Sequence, residues 1–146
     1  MARTEHVLLA FSLAICCGLV GCNTGCSARI AVHNQSDWTV LANRVAAAAV
    51  QTGFVERAPD PRLPNDGWRF FVMPVGPAAG YSVAIPTKSE NGMEVSFGGG
   101  GITQFSSEAI ALYLSFAKFV QDAFPGGSIA IGNTNSCGQT LEKGGT

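Results

Sequence analysis

Between residues 68 and 97 three apolar runs lie so close together that only one kind of connection can join them. Residues 68–75 (WRFFVMPV), 81–86 (YSVAIP) and 93–97 (MEVSF) are rich in β-branched and aromatic side chains, with apolar residues at alternate positions. The links between them, Gly76-Pro77-Ala78-Ala79-Gly80 and Ser89-Glu90-Asn91-Gly92, have turn chemistry. Both are far shorter than the roughly dozen residues a parallel crossover needs. An antiparallel meander is therefore predicted. Trp68, Phe70 and Val72 share one parity, as do Tyr81, Val83 and Ile85, and Met93, Val95 and Phe97. Those sets are expected to face the core, the aromatic rings included.

The flanking sequence supplies the rest of one domain. Residues 28–33 (ARIAVH) alternate as a half-buried strand does, with Ile30 and Val32 on one face. A helix should follow, since Asp37 is a good N-cap and Trp38, Leu41, Val45 and Ala48 or Ala49 recur at helical spacing before Gly53 stops the run. Residues 57–67 carry three prolines and must be a loop. Ser106 is the expected cap of a second helix, in which positions 108, 111, 115, 118 and 122 form a narrow polar stripe. Leu112, Tyr113, Phe116, Phe119, Val120 and Phe124 fill the remainder, so this helix should pack between the sheet and another element. Pro125-Gly126-Gly127 ends it, and residues 128–132 (SIAIG) read as a last strand. The predicted fold class is α+β, a two-layer sandwich of mainly antiparallel sheet and two helices in the order β-α-β-β-β-α-β. At 146 residues there is room for one such domain.

The first 22 residues follow a different logic. Arg3 stands in a short polar region before an apolar run of fifteen residues, 7–21 (VLLAFSLAICCGLVG). That is short of the roughly 20 residues a spanning helix needs. The run ends in Leu19-Val20-Gly21-Cys22, which resembles the lipobox of bacterial lipoproteins: an aliphatic residue, a tolerant position, a small residue and a cysteine. The resemblance implies that residues 1–21 are a removed signal peptide and that the Cys22 thiol takes a diacylglyceryl group as a thioether. It also implies a membrane partner through that lipid, and a cell-envelope address facing the periplasm or exterior. Asn23 stands where an aspartate commonly signals inner-membrane retention, which by the same resemblance favours the outer membrane. Glu5 leaves the N-terminal region less basic than such signals usually are. An ordinary secretory signal cleaved after Ala28 is the competing reading.

Given that processing, Cys16 and Cys17 leave with the signal and Cys22 is lipidated, so Cys26 and Cys137 remain of the five cysteines. An isolated pair in an oxidising compartment reads as one disulfide, with two free thiols as the alternative. Cys26 just precedes the first proposed strand and Cys137 follows the last, so antiparallel pairing of those strands would bring them together. The expected domain map is a signal peptide at 1–21, a lipidated tether at 22–27, one α+β domain at 28–137 and a flexible tail at 138–146.

Residues suited to carry chemistry are few. The four glycines at 98–101 precede a helix, where a phosphate-binding loop can lie, but neither the dinucleotide fingerprint nor the Walker spacing is present, and a flexible connector is expected. One histidine, His33, remains after residue 21, at the end of a strand and away from any nucleophile turn. A zinc site of His33, Cys26 and Cys137 lacks paired ligand spacing and competes with the disulfide. Nine carboxylates follow residue 21, with nothing to single out a catalytic pair. Trp38, Trp68 and Tyr81 are the aromatic residues suited to stacking on a sugar, though each falls on a face expected to be buried. Lys and Arg total 9 against 10 Asp and Glu, scattered rather than striped, which disfavours a nucleic-acid partner. No catalytic, cofactor or metal residue is assigned. The expected function is a small non-enzymatic binding domain on a lipid leash, inhibitor-like or immunity-like, meeting an envelope protein or a cell-wall component. A small envelope hydrolase using His33 or a carboxylate pair is the alternative.

Overall fold

A computed structural model of the chain describes residues 25–33, 38–58, 67–87 and 92–142. The lipobox with Cys22, the Asp37 cap and most of the proline-rich segment lie outside the described residues, as does the side chain of Trp38. Eight elements follow in order: β1 (Ser27–His33), α1 (Trp38–Thr52), β2 (Val55–Glu56), β3 (Trp68–Val72), β4 (Ser82–Pro86), β5 (Met93–Gly98), α2 (Ser107–Ala123) and β6 (Ser128–Ile131). The strands make one six-stranded sheet in the order β2-β3-β4-β5-β1-β6, and every pairing is antiparallel. Both helices lie on one face. This is the expected two-layer α+β sandwich with one strand added: β2, at two residues, is too short to register as alternation.

Alternation decides which face the helices cover. Ala28, Ile30 and Val32 of β1, Val83 and Ile85 of β4, and Met93, Val95 and Phe97 of β5 are all buried against α1 and α2. Phe97 is the hub, with the rings of Phe54, Tyr81, Phe105 and Tyr113 at centroid distances of 6.1, 5.6, 5.5 and 5.3 Å. Phe54 reaches this cluster because α1 ends in a Schellman turn. Gly53, at φ 105°, donates to Val50, and the Phe54 N–H donates back to the Ala49 carbonyl, which swings the ring under the helix. At the start of α2 the Ser106 hydroxyl accepts from the Ala109 N–H, as expected of a cap. Further along α2, the Tyr113 hydroxyl lies 2.8 Å from the Gly132 carbonyl and 3.1 Å from that of Arg29, bolting the helix to the β1–β6 seam. All five residues of the expected polar stripe on α2 are exposed, and its broad apolar remainder divides between the sheet and α1.

Cys26 and Cys137 form a disulfide, with their α-carbons 5.5 Å apart across 111 positions of sequence. The reason is the one the sequence supplied: β1 and β6 are antiparallel neighbours, so the beginning of one lies beside the end of the other. The bond consumes both thiolates, and His33 sits at the far end of β1, so the zinc arrangement is excluded.

Several expectations need correction. The tail expected to be flexible from 138 is folded as far as Leu141, which is buried. Asn135 organises that loop: its Oδ1 accepts from the Cys137 and Gln139 N–H groups, and its Nδ2 donates to Gln139 Oε1. Gln139 in turn pairs both its side-chain groups with the backbone of Phe105. Nor does the tether extend to 27, since Cys26 is buried and Ser27 opens β1. The glycines near 98 are a packed crossing rather than a loose connector. A Cβ on Gly98 would run into the Cys26 carbonyl, and one on Gly99 into the Ile102 side chain. Strand β3 stops at Val72, and residues 73–81 turn instead.

Candidate functional site

The most consequential correction concerns β3. Its sequence, WRFFV, offers apolar residues at both parities, and the register with β4 chooses between them. Phe71 lies opposite Val83, a core residue, so Phe71 points inward while Trp68, Phe70 and Val72 are turned to the opposite face. Trp68 is 41% exposed and Phe70 47%, not buried as expected. Tyr81 does occupy the core, as expected, stacked on Phe97.

Among the described residues no element covers that second face of the sheet. Opposite the two rings stand only small partners, Pro86 across from Trp68 and Ala84 across from Phe70, which cannot hide them. On the other side β2 is two residues long and lies beside Val72 and Phe71, so it adds only Val55, itself exposed, to this face. The result is a sheet face with Trp68 and Phe70 exposed on it and Ser82, Ala84 and Ser96 as its half-buried floor. Farther across, Arg29 and Glu94 bound it with an exposed ion pair at 3.0 Å. A pair this open to water contributes little stability.

The helix side of the same strand is closed by a different pair. Arg69 grips Glu56 with two hydrogen bonds, at 2.7 and 2.8 Å, and reaches Asn43 of α1 at 3.1 Å. Hydrogen bonding to Arg69 holds the Glu56 carboxyl below its ordinary value, against a smaller opposing effect of burial. The same bonds raise Arg69. This fork fixes the short β2 to β3 and so fixes the edge beside Phe70.

No protein-family model, curated protein or solved structure matches the chain. His33 is exposed at the end of β1. The described carboxylates with partners are engaged separately, Glu56 by Arg69, Glu94 by Arg29 and Asp122 by Lys118. Among the described residues, no three His, Cys, Asp or Glu side chains gather as a metal site would require. The same residues hold no helix long and apolar enough to cross a membrane. What the described fold offers is a water-exposed sheet face bearing two aromatic rings on a disulfide-tied frame. Sequence reasoning missed Trp68 and Phe70 as surface residues, and the one available signal was Phe71, which breaks the alternation and supplies a competing inward residue.

Proposed function

We propose that the chain is a lipid-anchored envelope protein whose small domain is a non-enzymatic binding module, and that it engages another envelope protein through the open sheet face around Trp68 and Phe70. The observation that carries the reading is the pair of large aromatic rings left half in water on a sheet face that no described element covers. Tryptophan and other aromatic residues supply much of the binding energy at protein interfaces, while water-exposed apolar clusters are costly without a partner.

The lipoprotein reading draws support from where the fold starts. Cleavage after Ala28, the competing secretory signal, would remove Cys26 with its disulfide and the first two residues of β1. Cleavage before Cys22 leaves the described fold whole and brings an oxidising compartment, where a disulfide persists. The outer membrane as the particular address, and an inhibitor-like or immunity-like role, belong to the same proposal.

A photo-crosslinking residue at Phe70 in the full chain, expressed in a bacterial envelope, tests the site. A discrete protein adduct that disappears in Trp68→Ala is expected. Adducts only to peptidoglycan would replace the protein partner with a cell-wall one, and the absence of any specific adduct in a correctly folded, oxidised chain would defeat the site. Trp68→Ala itself should change stability by under about 1 kcal/mol, because the ring is only partly removed from water in the free domain.

A further inference from the structure

The two ends of the sheet differ in chemistry. Val55, Val72, Ser82, Gly98 and Ser27 form one row across it, each paired with the next. Every segment that leaves the sheet at that row lacks Asp, Glu, Lys and Arg: 25–26 before β1, 53–54 between α1 and β2, 73–81 between β3 and β4, and 99–106 between β5 and α2. The C-terminal loop returns to the same row, where the Ser136 N–H donates to the Ser27 carbonyl, and it too is uncharged from 132 through 141; two exposed carboxylates border these loops, Glu108 in the first turn of α2 and Glu142 just past the C-terminal loop. The segments joining β2 to β3 and β4 to β5 instead carry Arg57, Asp60, Arg62, Asp66, Lys88 and Glu90 in their sequence. No single stretch of sequence makes this division, since the uncharged end is assembled from five separate segments.

The uncharged end also has an apolar tip. Val75, in the 73–81 turn, is 73% exposed, more than any other large hydrophobic residue described, and Pro74 and Pro77 beside it are exposed as well. The chain enters the fold at this same end. Cys22 lies four residues before Cys26, a reach of at most about 14 Å when fully extended. His33, at the other end of β1, is roughly 20 Å from Ser27 along the strand.

We infer that the end of the domain with the uncharged connecting loops rests on the lipid bilayer, with the Val75 turn in the headgroup region and the His33 end directed away from the membrane. The inference depends on lipidation of Cys22 as proposed above. Charged side chains resist transfer toward the hydrocarbon boundary, whereas glycine, hydroxyl, amide and apolar groups tolerate it. A tether this short leaves the domain little freedom to turn over, so the end bearing Cys26 is the one the anchor presents to the lipid. In this orientation the sheet stands upright on the membrane and its open face looks sideways, where Trp68 and Phe70 stay accessible to a neighbouring envelope protein.

The test uses the mature, acylated chain in vesicles of phosphatidylethanolamine and phosphatidylglycerol that contain a headgroup-nitroxide lipid. With Cys22 held as a thioether and Cys26 bonded to Cys137, one introduced cysteine becomes the single thiol for a fluorophore. Labels on Val75→Cys and Thr103→Cys should lose most of their emission to the nitroxide, and labels on His33→Cys and Pro125→Cys should keep nearly all of it. Equal quenching at the four sites, or stronger quenching at His33 and Pro125, overturns the orientation while leaving the anchor in place. Mass spectrometry of the same preparations separates the two ideas. A mature N-terminus without acyl chains on Cys22 ends the lipoprotein reading and this inference together.

Discussion

Opening the Cys26–Cys137 disulfide should remove a large part of the domain's stability, and almost all of the loss should arise in the unfolded chain. In the folded state the cysteines stay neighbours without the bond: Ser136 is hydrogen-bonded to Ser27, Asn135 and Gln139 hold the loop, and Leu141 is buried. In the unfolded state the bond closes a loop across 111 positions. Chain-entropy reasoning for that length gives about 4.8 kcal/mol at 25 °C. Whole-domain stability is typically about 5–15 kcal/mol, so the bond decides whether the domain is robust or marginal. For roughly 120 residues the midpoint of thermal unfolding should fall by roughly 20 °C. Urea unfolding followed by tryptophan fluorescence, comparing the oxidised protein with its reduced form and with a Cys26→Ala, Cys137→Ala double variant, measures this. The denaturant slope should rise on opening the bond, because the freed chain exposes more surface when it unfolds. A loss below about 1.5 kcal/mol with an unchanged slope would show that loop closure is not what the bond contributes.

Three further outcomes follow from buried groups and one ion pair. Burial pushes the Tyr113 hydroxyl up to about 12 from its ordinary 10.0, with the hydrogen bond to Gly132 acting in the opposite direction, so the folded state holds this proton more tightly than the unfolded state does. The associated stability is fully present below pH 10 and is lost as pH rises through 12, about 3 kcal/mol in all, and Tyr113→Phe should remove that alkaline slope from urea midpoints. Asn135→Ala leaves the Cys137 and Gln139 N–H groups without their acceptor; a loss of about 2 kcal/mol and faster amide exchange at both positions are expected, and unchanged exchange would refute the role given to Asn135. Glu56, lowered by its hydrogen bonds to Arg69, contributes stability that is present above its ordinary value and lost as pH falls; because the pair is partly exposed, Glu56→Gln should cost under about 1 kcal/mol at neutral pH and flatten the acid limb of the stability profile.

Much of this fold was determined locally and could be read from the chain. Short turns forced the central strands antiparallel, Gly53 and Ser106 marked helix ends, and the polar stripe on α2 announced which side would meet water, because each depends on residues a few positions apart. The pairing of Cys26 with Cys137 was legible for a related reason: two cysteines flanking the first and last strands of the chain meet if those strands are antiparallel neighbours. What the sequence could not determine is the direction of β3, since WRFFV satisfies either parity and only the Phe71–Val83 register assigns Trp68 and Phe70 to the open face. Nor could it show that a polar, glycine-rich tail folds, because Asn135 finds its side-chain partner in Gln139 and Gln139 finds its own in Phe105, thirty-four positions away. The uncharged end is likewise invisible in one dimension, where its five segments are scattered among charged ones. Side-chain alternation and turn chemistry are properties of neighbouring residues, whereas an exposed face or a cluster of uncharged loops exists only once the strands have chosen their partners.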